Sequence, residues 1–241
     1  MTRTSTPAAP TAQGADKARL RDAATVLLVR RAPAGPSVLM GMRGAGAAFM
    51  PSKYVFPGGA VDPGDASVPL AAPLAATCAA RLAQGAAAGL APALAVAAVR
   101  ELWEETGLML GERGAWPGMI PPDWTEFAAS GYLPSAAPLT FVFRAITPPG
   151  RPRRFDARFF LADADRVLGD PDDFSKACDE LSHLHWVPIS EARRLNLPFI
   201  TEVVLAEVAA LLTTGSAAIT PPDSVPFFDN SGERSEFRRL T

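Results

Sequence analysis

The apolar positions change period along the chain, and each change predicts an element. Ala24-Thr25-Val26-Leu27-Leu28-Val29-Arg30 is a β-branched run suited to a buried strand, and Ser37 to Arg43, beyond a Pro/Gly turn, predicts its neighbour. Lys53 to Ala60 reads as a short strand running into the double glycine Gly58-Gly59, where a ligand or metal can approach the backbone closely. From Pro92, tolerated in a first turn, through Ala93-Leu94-Ala95-Val96-Ala97-Ala98-Val99 the pattern is helical, and Gly107 supplies the C-terminal cap. Leu139 to Thr147 and Arg158 to Ala162 predict two further strands, broken apart by Pro148-Pro149-Gly150. Ser190 to Arg194 predicts a short helix with a serine N-cap, and Pro198 to Leu212 a longer amphipathic one.

The helix ending at Gly107 carries an unusual charge pattern. At 100° per residue, Leu94, Ala95, Ala98, Val99, Leu102 and Thr106 share one apolar arc, and Glu101, Glu104 and Glu105 crowd into a wedge of about 100° beside it. Glu105 lies almost in line with Leu94 and Ala98, so it borders the packed face. As like charges at i,i+4, Glu101 and Glu105 cost roughly 0.2–0.5 kcal/mol, and the negative helix terminus adds roughly 0.3–1 kcal/mol per charge. A solvated acidic face normally interleaves opposite charges, and here only Arg100 is on offer. A divalent cation turns such repulsion into coordination, because hard ions take carboxylate oxygens.

Composition narrows the class. The 241 residues are 48% hydrophobic and 20% charged, enough for one sizeable core. A net charge of −2 gives no global drive toward nucleic acid or lipid, and no apolar run is long enough to span a membrane. Cys78 and Cys178 are too far apart in sequence to suggest a disulfide framework or a zinc site, which fits a reducing compartment, with the cytoplasm as default. Residues 1–20, rich in Thr, Ala, Pro and Ser, read as a disordered lead-in, and residues 215–241, with Phe227-Phe228, as a tail folded over a neighbour.

Gly59, Asp65 and Arg100-Glu101-Leu102-Trp103-Glu104-Glu105-Thr106-Gly107-Leu108 together resemble the Nudix box: glycine, five residues, Glu, seven residues, then Arg-Glu-aliphatic-any-Glu-Glu-any-Gly-aliphatic. The second half matches at every fixed position. In the first half Asp65 replaces a glutamate, and the seven-residue spacer has grown to the 34 residues from Ala66 to Val99. The resemblance implies an α/β fold, a Nudix-type α/β/α sandwich with a mixed central sheet over residues 21–214. It also implies an insertion inside the box, about residues 66–91, whose leucines and alanines predict a helical excursion. It further implies hydrolysis of a nucleoside-diphosphate-linked small molecule with Mg²⁺ or Mn²⁺ held by Glu101, Glu104, Glu105 and the Gly59 carbonyl. Arg100 is expected to orient a glutamate, and Glu180 to stand as a candidate general base from outside the box.

An interrupted box resembles the coenzyme A diphosphatase branch of that family. So does the motif around Arg43, although Ala48 and Ser52 depart from it, and so does Arg154-Phe155-Asp156-Ala157-Arg158-Phe159-Phe160. Arg43, Arg154 and Arg158 are therefore expected to bind substrate, either coenzyme A or acyl-CoA. The alternatives are ADP-ribose, NADH or another nucleotide diphosphate, and a non-catalytic nucleotide sensor. Arg151, Arg153 and Arg154 form a small basic connector, read as a solvated loop able to grip phosphates, and not as a nucleic-acid site. Asp163, Asp165, Asp170, Asp172 and Asp173 read as surface. Asp179 to Pro188 resembles the strand before the last Nudix helix. There, strand alternation puts His183 and His185 on one face, as structural histidines in preference to zinc ligands. A homodimer is expected from the family resemblance alone.

Overall fold

A computed structural model describes residues 19–213, 218–232 and 234–241. The expected lead-in up to residue 18 falls outside them. Among the described residues nine strands form one mixed sheet: β1 (Leu20–Arg30), β2 (Ser37–Arg43), β3 (Tyr54–Val55), β4 (Gly58–Ala60), β7 (Thr140–Ile146), β8 (Arg154–Asp163), β9 (Leu181–Pro188), β10 (Val225–Asp229) and β11 (Glu236–Leu240). The order is β11-β10-β7-β8-β1-β2-β3, with β4 paired to β1 and β9 to β2. β1 runs parallel to β8 along ten residue pairs, and β10 parallel to β7. The smaller ribbon of β5 (Gly111–Arg113) and β6 (Tyr132–Pro134) stands apart.

Strand alternation explains the continuous apolar run of β1. Ala24, Val26 and Leu28 pack on one side of the sheet and Leu27 and Val29 on the other, all without solvent exposure. The first side is covered by α1 (Ala76–Leu82) and α2 (Leu90–Thr106). The second is covered by α5 (Phe199–Leu212), through Val204, Leu205 and Val208. This is the expected sandwich with a mixed central sheet. Two shorter helices, α3 (Thr125–Ala129) and α4 (Ile189–Ala192), lie at its margins. Ser190 sits inside α4 and Pro198 caps α5; Pro188, whose fixed φ suits a helix entry, occupies the cap expected of the serine.

Two segments differ from expectation. Residues 66–91, expected as a helical excursion, hold the end of a 3-10 turn (Asp65–Ser67), one seven-residue helix, α1, connecting loops and the start of the next helix, which begins at Leu90 after Gly89 in the left-handed region. The C-terminal segment supplies β10 and β11 to the main sheet, because Val225 and Phe227 are apolar enough to bury against the α1 side. The two segments hold each other. Arg81 donates to the Pro222 and Asp223 carbonyls at 2.5 and 2.6 Å, and Gln84 to the Thr241 carbonyl at 2.7 Å.

Candidate active site

The site lies where β2 leaves β1. The two strands pair at Val29↔Val38 and Arg30↔Ser37, and lower down β1 pairs with β4, with Gly59 opposite Ala24 and Gly58 opposite Thr25. Helix α2 packs over this gap and ends at Gly107, whose φ of 77° and N–H bond to the Trp103 carbonyl (2.7 Å) close the last turn. Its final two turns carry Arg100, Glu101, Glu104 and Glu105. Both glycines are needed for the fit. A Cβ on Gly58 would stand 2.5 Å from the Ala24 carbonyl oxygen, and one on Gly59 would stand 2.5 Å from the Glu101 carboxyl carbon.

Arg100, 5% exposed, is the hub, and all five of its N–H donors are used. Nε and Nη2 grip Asp65 at 2.9 and 3.1 Å, Nη2 also donates to the Ala60 carbonyl at 3.0 Å, and Nη1 reaches Glu101 at 2.8 Å and Glu104 at 3.0 Å. Burial alone would lower the arginine pKa, but the Asp65 hydrogen bonds and the charges of Glu101, Asp65 and Glu104 outweigh it and raise it. Asp65, itself 2% exposed, also accepts the Asp62 N–H at 2.8 Å. Asp65 is thus a clamp on Arg100.

Glu105 is almost fully buried; one oxygen accepts the Gly58 N–H at 2.7 Å, and the other, Oε1, has no partner. Burial, then the Glu101 charge, pushes its pKa well above the ordinary carboxylate value against the pull of that N–H. Burial likewise raises Glu101, to about 7, in spite of Arg100, and raises Glu104, with Asp123 and Asp62 adding repulsion. One guanidinium therefore serves Asp65, Glu101 and Glu104, with Asp62 3.7 Å away, and Glu105 lies beside them on the Gly58 N–H. An excess of buried oxygens and an orphaned Oε1 fit a divalent cation. Among the described residues, however, no three acidic, histidine or cysteine side chains converge as a ready cage. The reason is local: Glu101 and Glu104 are both drawn onto Arg100 Nη1, and a cation has to compete with it.

Two other expected residues border this cluster. Arg43, at the end of β2, donates to Glu180 at 2.7 Å, and both charges act on Glu105. Arg154 lies elsewhere. It pairs with Leu20 four positions before the Arg158↔Ala24 row, about 13 Å down the strand, and donates to the Thr147 carbonyl at 3.1 Å. Arg158, expected to touch substrate, is 1% exposed and is instead bound to Asp22, the Asp156 carbonyl (2.8 Å) and the Asp156 carboxylate (3.1 Å). Strand alternation points it at the α1/α2 side of the sheet, where Arg144 grips the same Asp156 at 2.7 and 2.9 Å. His183 and His185 do not share a regular face, because His183 has a φ of 52° within a register shift. The Gly58 N–H was missed as a Glu105 partner; the double glycine was the only signal for it. Cys78 is buried and Cys178 exposed, both free. Among the described residues no helix is long and apolar enough to cross a membrane.

The mixed sheet between helices, with an arginine-clamped acidic helix end against a glycine strand, defines a Nudix-type α/β scaffold. No protein-family model matches the chain. It is 31% identical over 183 residues to "Putative nudix hydrolase 7" of Caenorhabditis elegans, covering 71% of this chain and 52% of that protein. The chain thus spans about half the length of the curated relative it matches. The crystal structure of a NUDIX hydrolase from Alicyclobacillus acidocaldarius is similar with a TM-score of 0.60 at 27% identity, over 84% of this chain and 99% of that one. Both likenesses support the Nudix hydrolase family for this chain, a family that generally uses divalent metals.

Proposed function

We propose that the chain is a pyrophosphohydrolase that uses Mg²⁺ or Mn²⁺ to hydrolyse the diphosphate of a nucleoside-diphosphate-linked molecule. The observation that carries this reading is Glu105, a buried carboxylate whose Oε1 has no partner beside two further glutamates. Glu101, Glu104, Glu105 and the Gly59 carbonyl would hold the ion. When bound, it neutralises charge growing on the phosphoryl oxygens and makes a water more acidic. Arg100, fixed by Asp65, keeps Glu101 and Glu104 at the end of the helix. Arg43 at the mouth grips a phosphate, and Glu180 beside it takes the proton of the attacking water.

Within this class coenzyme A or an acyl-CoA is the substrate we favour, cleaved to 3′,5′-ADP and (acyl-)4′-phosphopantetheine. Arg43 beside the carboxylates and the interrupted box support it. The burial of Arg158 withdraws one of its supports, and for that reason ADP-ribose and NADH are kept as the second reading. A sensor without turnover is disfavoured by the presence of all three helix glutamates. A panel of coenzyme A, an acyl-CoA, ADP-ribose and NADH, assayed with Mg²⁺ and with Mn²⁺, separates these readings by product. Glu105→Gln is expected to lower metal-dependent turnover on the order of a hundredfold or more. The Glu105→Gln variant, relieved of a buried charge, should melt at higher temperature than the metal-free parent. Turnover at the parent rate by this variant sinks the metal-site assignment.

A further inference from the structure

The β2–β9 ladder contains one extra residue, and it lies next to the candidate base. Pairing runs regularly from Ser37↔Pro188 to Met40↔His185, then shifts by one to Met42↔Ser182 and Arg43↔Leu181. His183 takes up the shift with a φ of 52°, a left-handed conformation that is unusual for a residue other than glycine. Its imidazole does not explain this: it is solvent-exposed, and no hydrogen bond, ion pair or ring contact of the ring is found among the described residues. The main chain has a clear role, since the His183 carbonyl lies 2.7 Å from His185 Nδ1.

The consequence is a change of face. A regular strand would bring Ser182 opposite Arg43; the bulge brings Leu181 there instead, 4% exposed. Gly41 leaves the room, for its Cβ would meet the Leu181 Cβ at 2.8 Å and Leu184 Cδ2 at 3.0 Å. With Leu181 inserted, Glu180 arrives directly at the Arg43 guanidinium. The other end of this short segment is pinned to the catalytic helix by the Cys178 N–H on the Glu104 carbonyl, at 2.9 Å. We propose that His183, through its left-handed backbone and not its imidazole, is a positioning residue that sets Glu180 against Arg43 beside the carboxylate cluster. Its effect on turnover rests on the hydrolase reading above, whereas its effect on geometry does not.

The test compares His183→Gly, which keeps the left-handed conformation without strain, with His183→Val, whose β-branched side chain resists it. With Mg²⁺ and either coenzyme A or ADP-ribose, the glycine variant should retain kcat, and the valine variant should lose roughly ten- to a hundredfold in kcat. In a Glu180→Gln background the valine change should have no further effect, because the group it positions is gone. Gly41→Ala, which displaces Leu181 from the other side, should behave like His183→Val. Crystal structures give an arm that is independent of activity: the Arg43–Glu180 pair should survive in the glycine variant and be broken in the valine variant. An intact pair in the valine variant, or equal losses in both variants, overturns the proposal. Absence of turnover by the unmodified chain on the whole panel overturns the hydrolase reading instead, and the crystallographic arm still decides the positioning role.

Discussion

Two buried arginine–carboxylate networks sit on the same side of the sheet, and they differ in balance. Around Arg100 one cation meets Asp65, Glu101 and Glu104, with Asp62 at 3.7 Å, and beside them the buried Glu105, flanked by the Arg43–Glu180 pair, leaves a carboxylate oxygen without a partner. Around Arg158, two cations, Arg144 and Arg158, meet two carboxylates, Asp156 and Asp22. Arg144 is also satisfied by the Gln84 and Gly85 carbonyls, just past the end of α1, and stacks on Phe227 at 4.4 Å. The second network spends its charge internally and ties insertion to C-terminal hairpin. The first carries surplus negative charge that the fold alone does not need. Burial does not tell the two networks apart; the balance of charge does.

The largest effect should come from unbalancing the balanced network. Asp156→Ala leaves Arg158 with only the partly exposed Asp22 and Arg144 with no carboxylate, only the Gln84 and Gly85 carbonyls, and should cost about 3–5 kcal/mol in urea or thermal unfolding. Already, burial lowers the Arg158 pKa in spite of Asp156, with Arg144 repelling it, so little further desolvation is tolerable. The contrast with Glu105→Gln is one of sign: removing a carboxylate destabilises one network and stabilises the other. If both substitutions lowered the melting temperature, the distinction between the two networks would collapse.

A smaller effect distinguishes them through pH. Burial holds Glu101 at about 7 in the folded chain, above the ordinary 4.5, and raises Glu105 as well. The folded state therefore binds these protons more tightly than the unfolded state. Their stabilising contribution is complete below about pH 4.5; that of Glu101 is lost as pH rises through about 7, and that of Glu105 as pH rises through its own raised value. For Glu101 alone the difference is on the order of 3 kcal/mol. Metal-free protein should thus lose melting temperature between pH 5 and pH 8, and excess Mg²⁺ should flatten the slope by favouring the ionised carboxylates. A Glu101→Gln chain should show a shallower slope without metal; an unchanged slope would mean that this carboxylate is not the titrating group.

How much of this was legible in the sequence depended on how local its cause was. Helix α2 and its cap were, because the apolar arc and Gly107 are set within one segment, and the arc also marked Glu105 as bordering the core. Strand β1 was legible for the same reason. Arg158 was not: its partner Asp22 lies 136 residues away, and only the parallel β1–β8 register, Asp22↔Asp156, brings them together. The shared histidine face failed because alternation assumes a regular strand, and one inserted residue at His183 reverses it. The terminal strands were hidden by distance too, since their place depends on β7.

The smallest effect concerns Asp65, where the pattern that the sequence resembles carries glutamate. Restoring glutamate there is a tempting repair, but the site is built for the shorter acid. Asp65 is 2% exposed, both of its oxygens lie on Arg100, and one of them also accepts the Asp62 N–H. It stands in a tight 3-10 turn, Asp65–Ser67, at the mouth of the insertion. An extra methylene has no space to occupy unless the turn moves outward or Arg100 is pushed along α2 toward Glu104. Asp65→Glu should therefore cost about 1 kcal/mol by overpacking, and lower kcat a few-fold by shifting the guanidinium that holds Glu101 and Glu104. Thermal unfolding and steady-state assays with Mg²⁺ measure both quantities. An Asp65→Glu variant that was more stable and faster than the parent would show that the insertion, and not the shorter acid, limits the site, and would shift attention from the clamp to the loop it anchors.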